Sequence, residues 1–170
     1  MNCITDLNTD YFATGGSDYK VNIWSKQTLA LIESFSVIGE VACMTKAVGD
    51  TLVCGQINGT FTVLDTGKLQ IERVVERAHT GTIVSCIALK QSGREILVSQ
   101  DDTREIKVWN VKDIGIPLIK TIGRSYNPVW YTQSLTELTL DNAAGGGGGV
   151  FNFLSACGSE SKVIHYQIDL

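Results

Sequence analysis

Proline is almost missing from this 170-residue chain, at 2 residues, and histidine and methionine are as scarce, at 2 each. With so little proline, and 17 glycines that follow no three-residue period, the chain is neither a proline-rich linker nor collagenous. An excess of basic charge is missing too: 14 lysines and arginines face 18 acidic residues, for a net charge of −4. That balance argues against nucleic acid as a partner, because a phosphate backbone needs a basic surface to meet it. No apolar run approaches the roughly 18 residues of a membrane-spanning helix, so no membrane partner is expected. The opening MNCITDLNTDYF has neither the basic stretch nor the apolar stretch of a secretory signal. A cytoplasmic or nuclear location is the expectation. The five cysteines form no C-x-x-C pair, are too dispersed for a zinc cage, and fit a reducing compartment. What the chain does hold is 44% hydrophobic residues, enough to build a core and to exclude a disordered chain.

The hydrophobic residues recur in blocks. Cys3, Cys43 and Cys86 stand 40 and 43 residues apart, within NCITDL, VACMTK and VSCIAL. They are expected to occupy one equivalent buried strand position in three repeats. Each block leads to a second apolar strand (FATGG, LVCGQ, ILVSQ) and then to a third (KVNIW, TFTVL, IKVWN). A fourth strand follows in ALIESF, QIERVV and, more weakly, PLIKTI. A last unit begins at NPVWY, with Trp130 in the cysteine position, and continues through NFLSAC and VIHYQI. The units run approximately 1–37, 38–78, 79–123 and 124–170, with a glycine-rich insertion at 136–149. In the third strands Val21/Ile23, Phe61/Val63 and Ile106/Val108 point one way, while Trp24, Leu64 and Trp109 point the other. Strands with apolar groups on both faces are packed on both sides. Stacked four-stranded antiparallel sheets supply such neighbours, so the expected class is all-β.

Few residues invite a chemical reading. GGGGG at 145–149 lacks the Gly-Lys-Ser/Thr ending of a phosphate loop and precedes a strand, so it reads as a flexible insert. Asn58-Gly59 is hairpin chemistry. Asp101, Asp102 and Glu105, with Arg104 among them, read as a solvated hairpin tip, short of the six or more oxygens of a cation site. His79 has no nucleophile in a suitable context. His165 stands in the slot held elsewhere by Ile23, Val63 and Val108; it is either a core histidine or marks a face that is not tightly covered. No catalytic residue, cofactor or metal site is expected.

The blocks resemble the WD-repeat (WD40) β-propeller family, along essentially the whole chain and best over 78–110. There His79 matches the histidine of the family's Gly-His turn, Trp109 the tryptophan of its Trp-Asp pair, and Ser99 the second-strand serine. In the family these join a turn aspartate in a hydrogen-bonded tetrad that braces the blade. Here the aspartate register falls on Thr103, and Asp102 sits one residue early. The first unit keeps Thr14, Asp18 and Trp24; the second has Cys54, Asn58 and Leu64; the fourth has Ala156, Glu160 and Tyr166. The resemblance implies about seven blades of roughly 40–45 residues each. Three complete units and one without its fourth strand would be part of a ring. Such a part is a piece of a longer protein, or pairs with a chain that completes the propeller, or closes on itself or a copy. The resemblance also implies a non-catalytic scaffold for other proteins, binding through the face of the second-to-third-strand and inter-blade turns. Tyr19, Asn58, Arg104, Arg124 and Tyr126 lie in those turns and are the candidate interface residues. The alternatives are the substrate-recognition part of a ubiquitin ligase or kinase, and a ribonucleoprotein component.

Overall fold

The computed structural model describes residues 1–91, 94–111, 116–122, 133–137, 150–157 and 162–169. Fifteen strands and no helix occur among them, in four antiparallel sheets. The first sheet is the meander β1 (Cys3–Asp6), β2 (Tyr11–Gly15), β3 (Lys20–Ser25) and β4 (Leu31–Ser36). The second is β5 (Val41–Lys46), β6 (Thr51–Gln56), β7 (Phe61–Asp65) and β8 (Gln70–Val75). The third is β9 (Ile83–Gln91), β10 (Arg94–Asp101), β11 (Ile106–Asn110) and β12 (Leu118–Ile122). The fourth is β13 (Gln133–Glu137), β14 (Val150–Cys157) and β15 (Lys162–Asp169). The chain is all-β, as its two-sided apolar strands require.

Each sheet has a leading face, toward the sheet before it in sequence, and a trailing face, toward the one after. Successive residues of a strand alternate between the two. The trailing Ala13, Val21 and Ile23 pack on the leading Met44, Leu52 and Leu64. The trailing Val53, Phe61 and Val63 pack on the leading Leu97 and Trp109. The trailing Ile96, Val98, Ile106 and Val108 pack on the leading Phe151, Phe153 and Ile168. Each fully covered side chain of this size is worth about 1.5–3 kcal/mol against its exposed state. These three seams, and not the hairpins, are therefore the core. The inner strands β1, β5, β9 and β13 are also stitched by side chains. Thr5 Oγ1 donates to the Met44 carbonyl at 3.2 Å, the Ala88 amide to Thr45 Oγ1 at 3.3 Å, and the Leu135 amide to Ser85 Oγ at 3.0 Å.

The three cysteines are not equivalent. Cys3 pairs with Gly15 and Cys43 with Gly55, on trailing faces, whereas Cys86 pairs with Ser99 on a leading face. Cys3 to Thr14 and Cys43 to Cys54 are each 11 residues apart, but Cys86 to Ser99 is 13. The longer hairpin moves Cys86 by one position, and one position turns a strand residue to the other face. Cys86 therefore looks back at Cys43 across the seam, with the sulfurs 3.4 Å apart. In the fourth sheet Ser155 and not Ala156 holds the place of Ser99, since Ser155 pairs with Ile164 as Ser99 pairs with Lys107. Residues 127–131 and most of the insertion 136–149 lie outside the described residues; the strand paired with β14 is β13.

Candidate interaction face and the blade that braces it

The β10–β11 hairpin, the second-to-third-strand turn of the third sheet, carries a chain of buried polar groups. Trp109 Nε1 donates to Ser99 Oγ at 2.8 Å, and Ser99 Oγ lies 2.7 Å from His79 Nε2. The serine hydroxyl thus links the indole to the imidazole, whose other ring nitrogen is Nδ1. That nitrogen faces Asp101 Oδ2 at 3.3 Å. The other carboxylate oxygen of Asp101 accepts from the Thr103 amide, the Thr103 hydroxyl and the Glu105 amide at 3.0, 2.7 and 2.9 Å. Burial pushes the Asp101 carboxyl up, but its hydrogen bonds to His79, Thr103 and the Glu105 amide outweigh burial and hold its pKa below the ordinary aspartate value.

The aspartate of this chain is thus Asp101. Asp102 lies exposed on the outer side of the turn, where its carboxylate accepts the Thr82 amide at 3.1 Å. The two aspartates are adjacent and point apart because the β9–β10 ladder shifts register between Gln100 and Asp101. Glu105 Oε2 also stands 3.6 Å from His79 Nδ1, so three ligand-type atoms converge. Lys107 supplies the positive charge there, at 3.1 Å from Glu105, while donating to the Ala78 carbonyl at 2.7 Å.

The first and second sheets hold less of this chain. In the first, Trp24 Nε1 donates to Thr14 Oγ1 at 2.8 Å, and Asp18 lies exposed at the turn. In the second, Cys54 and Leu64 are buried and apolar, and Gln56 Nε2 donates to Thr62 Oγ1 at 2.7 Å instead. Burial pushes the Cys3 thiol up to about 11, chiefly by desolvation, and raises that of Cys54 as well. These thiols stay protonated at neutral pH and are not nucleophiles.

The hairpin also fixes the outer turns. Tyr19, Gly59 and Arg104 each stand five residues before Trp24, Leu64 and Trp109, and all three have positive φ, at 60°, 75° and 65°. Gly59 shows what the position prefers: a Cβ there would sit 2.2 Å from the His79 carbonyl. Tyr19 and Arg104 hold a long side chain in the same left-handed conformation, which costs about 1–2 kcal/mol per residue. Asn58 lies exposed beside Gly59, its Oδ1 accepting the Thr60 amide at 3.3 Å. Arg124 and Tyr126 lie outside the described residues.

Backbone bonds join these turns into one surface. The Val37 amide donates to the Tyr19 carbonyl at 2.9 Å, and the Ile57 amide to the Glu40 carbonyl at 3.0 Å. Thr82 Oγ1 donates to the Ile57 carbonyl at 3.1 Å, and the Asp102 amide to the Thr82 carbonyl at 2.9 Å. Along this path Tyr19 is 49% exposed, Ile38 54% and Ile57 41%. The two isoleucines were not singled out from the sequence. The signal was available, as apolar residues within otherwise polar turns.

No family model matches the chain, and no curated protein matches it either. Solved structures do resemble it. The WD40 β-propeller domain of Doa1 is 16% identical, with a TM-score of 0.71 over 98% of this chain and 50% of that one. The structure of U3-55K is 15% identical, with a TM-score of 0.69 over 97% of this chain and 51% of that one. The computationally designed Ika4 protein is 20% identical, with a TM-score of 0.70 over 99% of this chain and 92% of that one. The chain thus spans about half the length of U3-55K and of the Doa1 domain. Four stacked antiparallel sheets, a buried tryptophan–serine–histidine–aspartate chain, and the likeness to these structures together place this chain in the WD40-repeat β-propeller fold.

Proposed function

We propose that the chain is a non-catalytic protein-interaction scaffold that binds through the turn face bearing Tyr19, Ile38 and Ile57. The observation that carries this reading is Tyr19. It pays the cost of a left-handed backbone at a position that Gly59 occupies without strain, and spends it on holding an aromatic ring in solvent. Aromatic side chains carry much of the energy at interfaces. Among the described residues the histidine near a carboxylate pair is His79, which is tied to Ser99 inside the core and supports the turn rather than reaching substrate. Rigid turns lower the ordering cost of binding. Asp18 and Asp102 are exposed on the same rim and favour a partner that flanks an apolar residue with lysine or arginine.

The test separates binding from folding. Tyr19→Gly relieves about 1–2 kcal/mol of left-handed backbone cost and gives back about 0.4–1 kcal/mol in unfolded-chain entropy, so the thermal midpoint is expected to stay unchanged or rise by a few degrees. Partners that the wild-type chain captures from its own cell extract should be lost with Tyr19→Gly and Ile57→Ser, and kept with Leu31→Ser on the outer strand β4. Capture that survives both turn variants would overturn the reading.

A further inference from the structure

We infer that Cys43 and Cys86 form an oxidation site, at which a small hydroperoxide closes a disulfide across the seam between the second and third sheets and locks the two sheets together. This goes beyond the scaffold reading and does not rest on it. Its ground is a pair of sulfurs that neither the bracing chain nor the turn face uses. Cys43 Sγ lies 3.4 Å from Cys86 Sγ, in van der Waals contact with no room for an atom between them. The two residues stand 43 positions apart on the inner strands β5 and β9, so the pair joins two sheets rather than the arms of one hairpin. Strand register creates the contact. Cys43 pairs with Gly55, where a Cβ would sit 2.7 Å from both Cys43 Sγ and the Ile83 side chain. The missing side chain leaves the sulfur room to reach the third sheet. The first seam is an internal control. Cys3 takes the place of Cys43 there, opposite Gly15, but Met44 stands where the third sheet has Cys86. Cys3 Sγ lies instead 3.8 Å from the Gly15 carbonyl.

The surroundings assign the two sulfurs different parts. Cys86 is buried, whereas Cys43 is half-buried and is the one that an oxidant of a few atoms reaches. Contact with Cys86 and burial raise the Cys43 thiol well above its ordinary pKa, so the resting pair is two thiols and its oxidation is slow. Once deprotonated, Cys43 Sγ attacks one peroxide oxygen. The O–O bond breaks, and the hydroxide released takes up the Cys43 proton as water. Cys86 Sγ then attacks the sulfenic sulfur of Cys43, the S–O bond breaks, and hydroxide leaves with the Cys86 proton as a second water. Each sulfur gives up one electron, and the two peroxide oxygens take them. Because Cys86 already touches Cys43, the bridge closes before a second peroxide drives the sulfenic acid on to sulfinic acid. A cross-link over so long a loop restricts the unfolded chain and stabilises the folded one. It lies beside Ile83, next to Thr82, whose hydroxyl bonds the Ile57 carbonyl of the second sheet.

The test treats the folded, reduced chain with millimolar hydrogen peroxide in mildly alkaline solution, then counts thiols by alkylation in denaturant and maps the peptides. The chain is expected to lose two of its five thiols, with Cys43 joined to Cys86 and both recovered by dithiothreitol. The thermal midpoint of the bridged chain should rise by several degrees. Cys3→Ala should keep the bridge. Cys86→Ala should lose it and leave a Cys43 sulfenic acid that dimedone traps, a species the wild type does not accumulate. The wild-type map decides the matter even where a variant fails to fold. Five thiols surviving the treatment overturn the proposal, as does a bridge between other cysteines or between two chains. Cys43 driven to sulfinic acid without a bridge also overturns it, because Cys86 then does not resolve the intermediate. A bridge that lowers the midpoint overturns it too, because the bond then strains the seam instead of locking it.

Discussion

The first and third sheets carry the same two side chains, a third-strand tryptophan bonded to a second-strand hydroxyl, and differ in everything around them. Trp109 is buried, covered by Phe61 and Val63, and its Ser99 partner bonds His79, whose Nδ1 faces Asp101 at 3.3 Å. Trp24 is half-buried, and its chain stops at Thr14. An indole N–H on a covered face has no water to fall back on, so its acceptor must be built in and must itself be satisfied. On an open face the same bond competes with solvent and is worth little. Bracing by such a chain therefore belongs to the seam as much as to the blade.

The strongest way to break this comparison is to delete both tryptophans in turn. Trp109→Ala should cost about 3–5 kcal/mol and Trp24→Ala about 1–2, read from urea midpoints at constant slope. Equal losses would mean that Trp24 is already covered. A finer cut removes the acceptors. Ser99→Ala strands the Trp109 N–H and His79 Nε2 in the core, at about 1–3 kcal/mol each, whereas Thr14→Val should cost less than about 1. The smallest effect concerns the two aspartates. Asp101 has a folded pKa below its ordinary value of 3.8, so it adds stability above that value and loses it as pH falls through the lower, folded one. Asp101→Asn should flatten the acid limb of a pH–stability curve below about pH 4. Asp102→Asn should leave that limb in place, and an unchanged limb in Asp101→Asn would put the buried carboxylate elsewhere.

The acid limb also marks the boundary of what could be read in advance. The approximate strands, the turns between them and the histidine–serine–tryptophan spacing of the third unit were legible, because each is a local pattern of apolar alternation and polar breaks. Three one-residue slips were not. Asp102 was expected where Asp101 stands, Cys86 was aligned with Cys3 and Cys43 although it faces the other way, and Ala156 was read in the place of Ser155. Each slip follows from pairing: a register shift or a longer hairpin moves a strand by one residue, and one residue exchanges its faces. The placing of Tyr19 and Arg104 in outer turns was legible, whereas the exposure of Ile38 and Ile57 beside them was not, because it depends on how neighbouring sheets bring their loops together.

The sequence by itself determined the class of the molecule, since period-two alternation with apolar groups on both faces admits only stacked sheets. It also determined which side chains sit at the third-strand positions, Trp24, Leu64, Trp109 and Tyr166, and that His165 breaks the aliphatic series. Only the tertiary structure decided which of these are covered. Coverage depends on which face meets which neighbour, a matter of pairing between residues some 40 positions apart, and no local pattern carries that information.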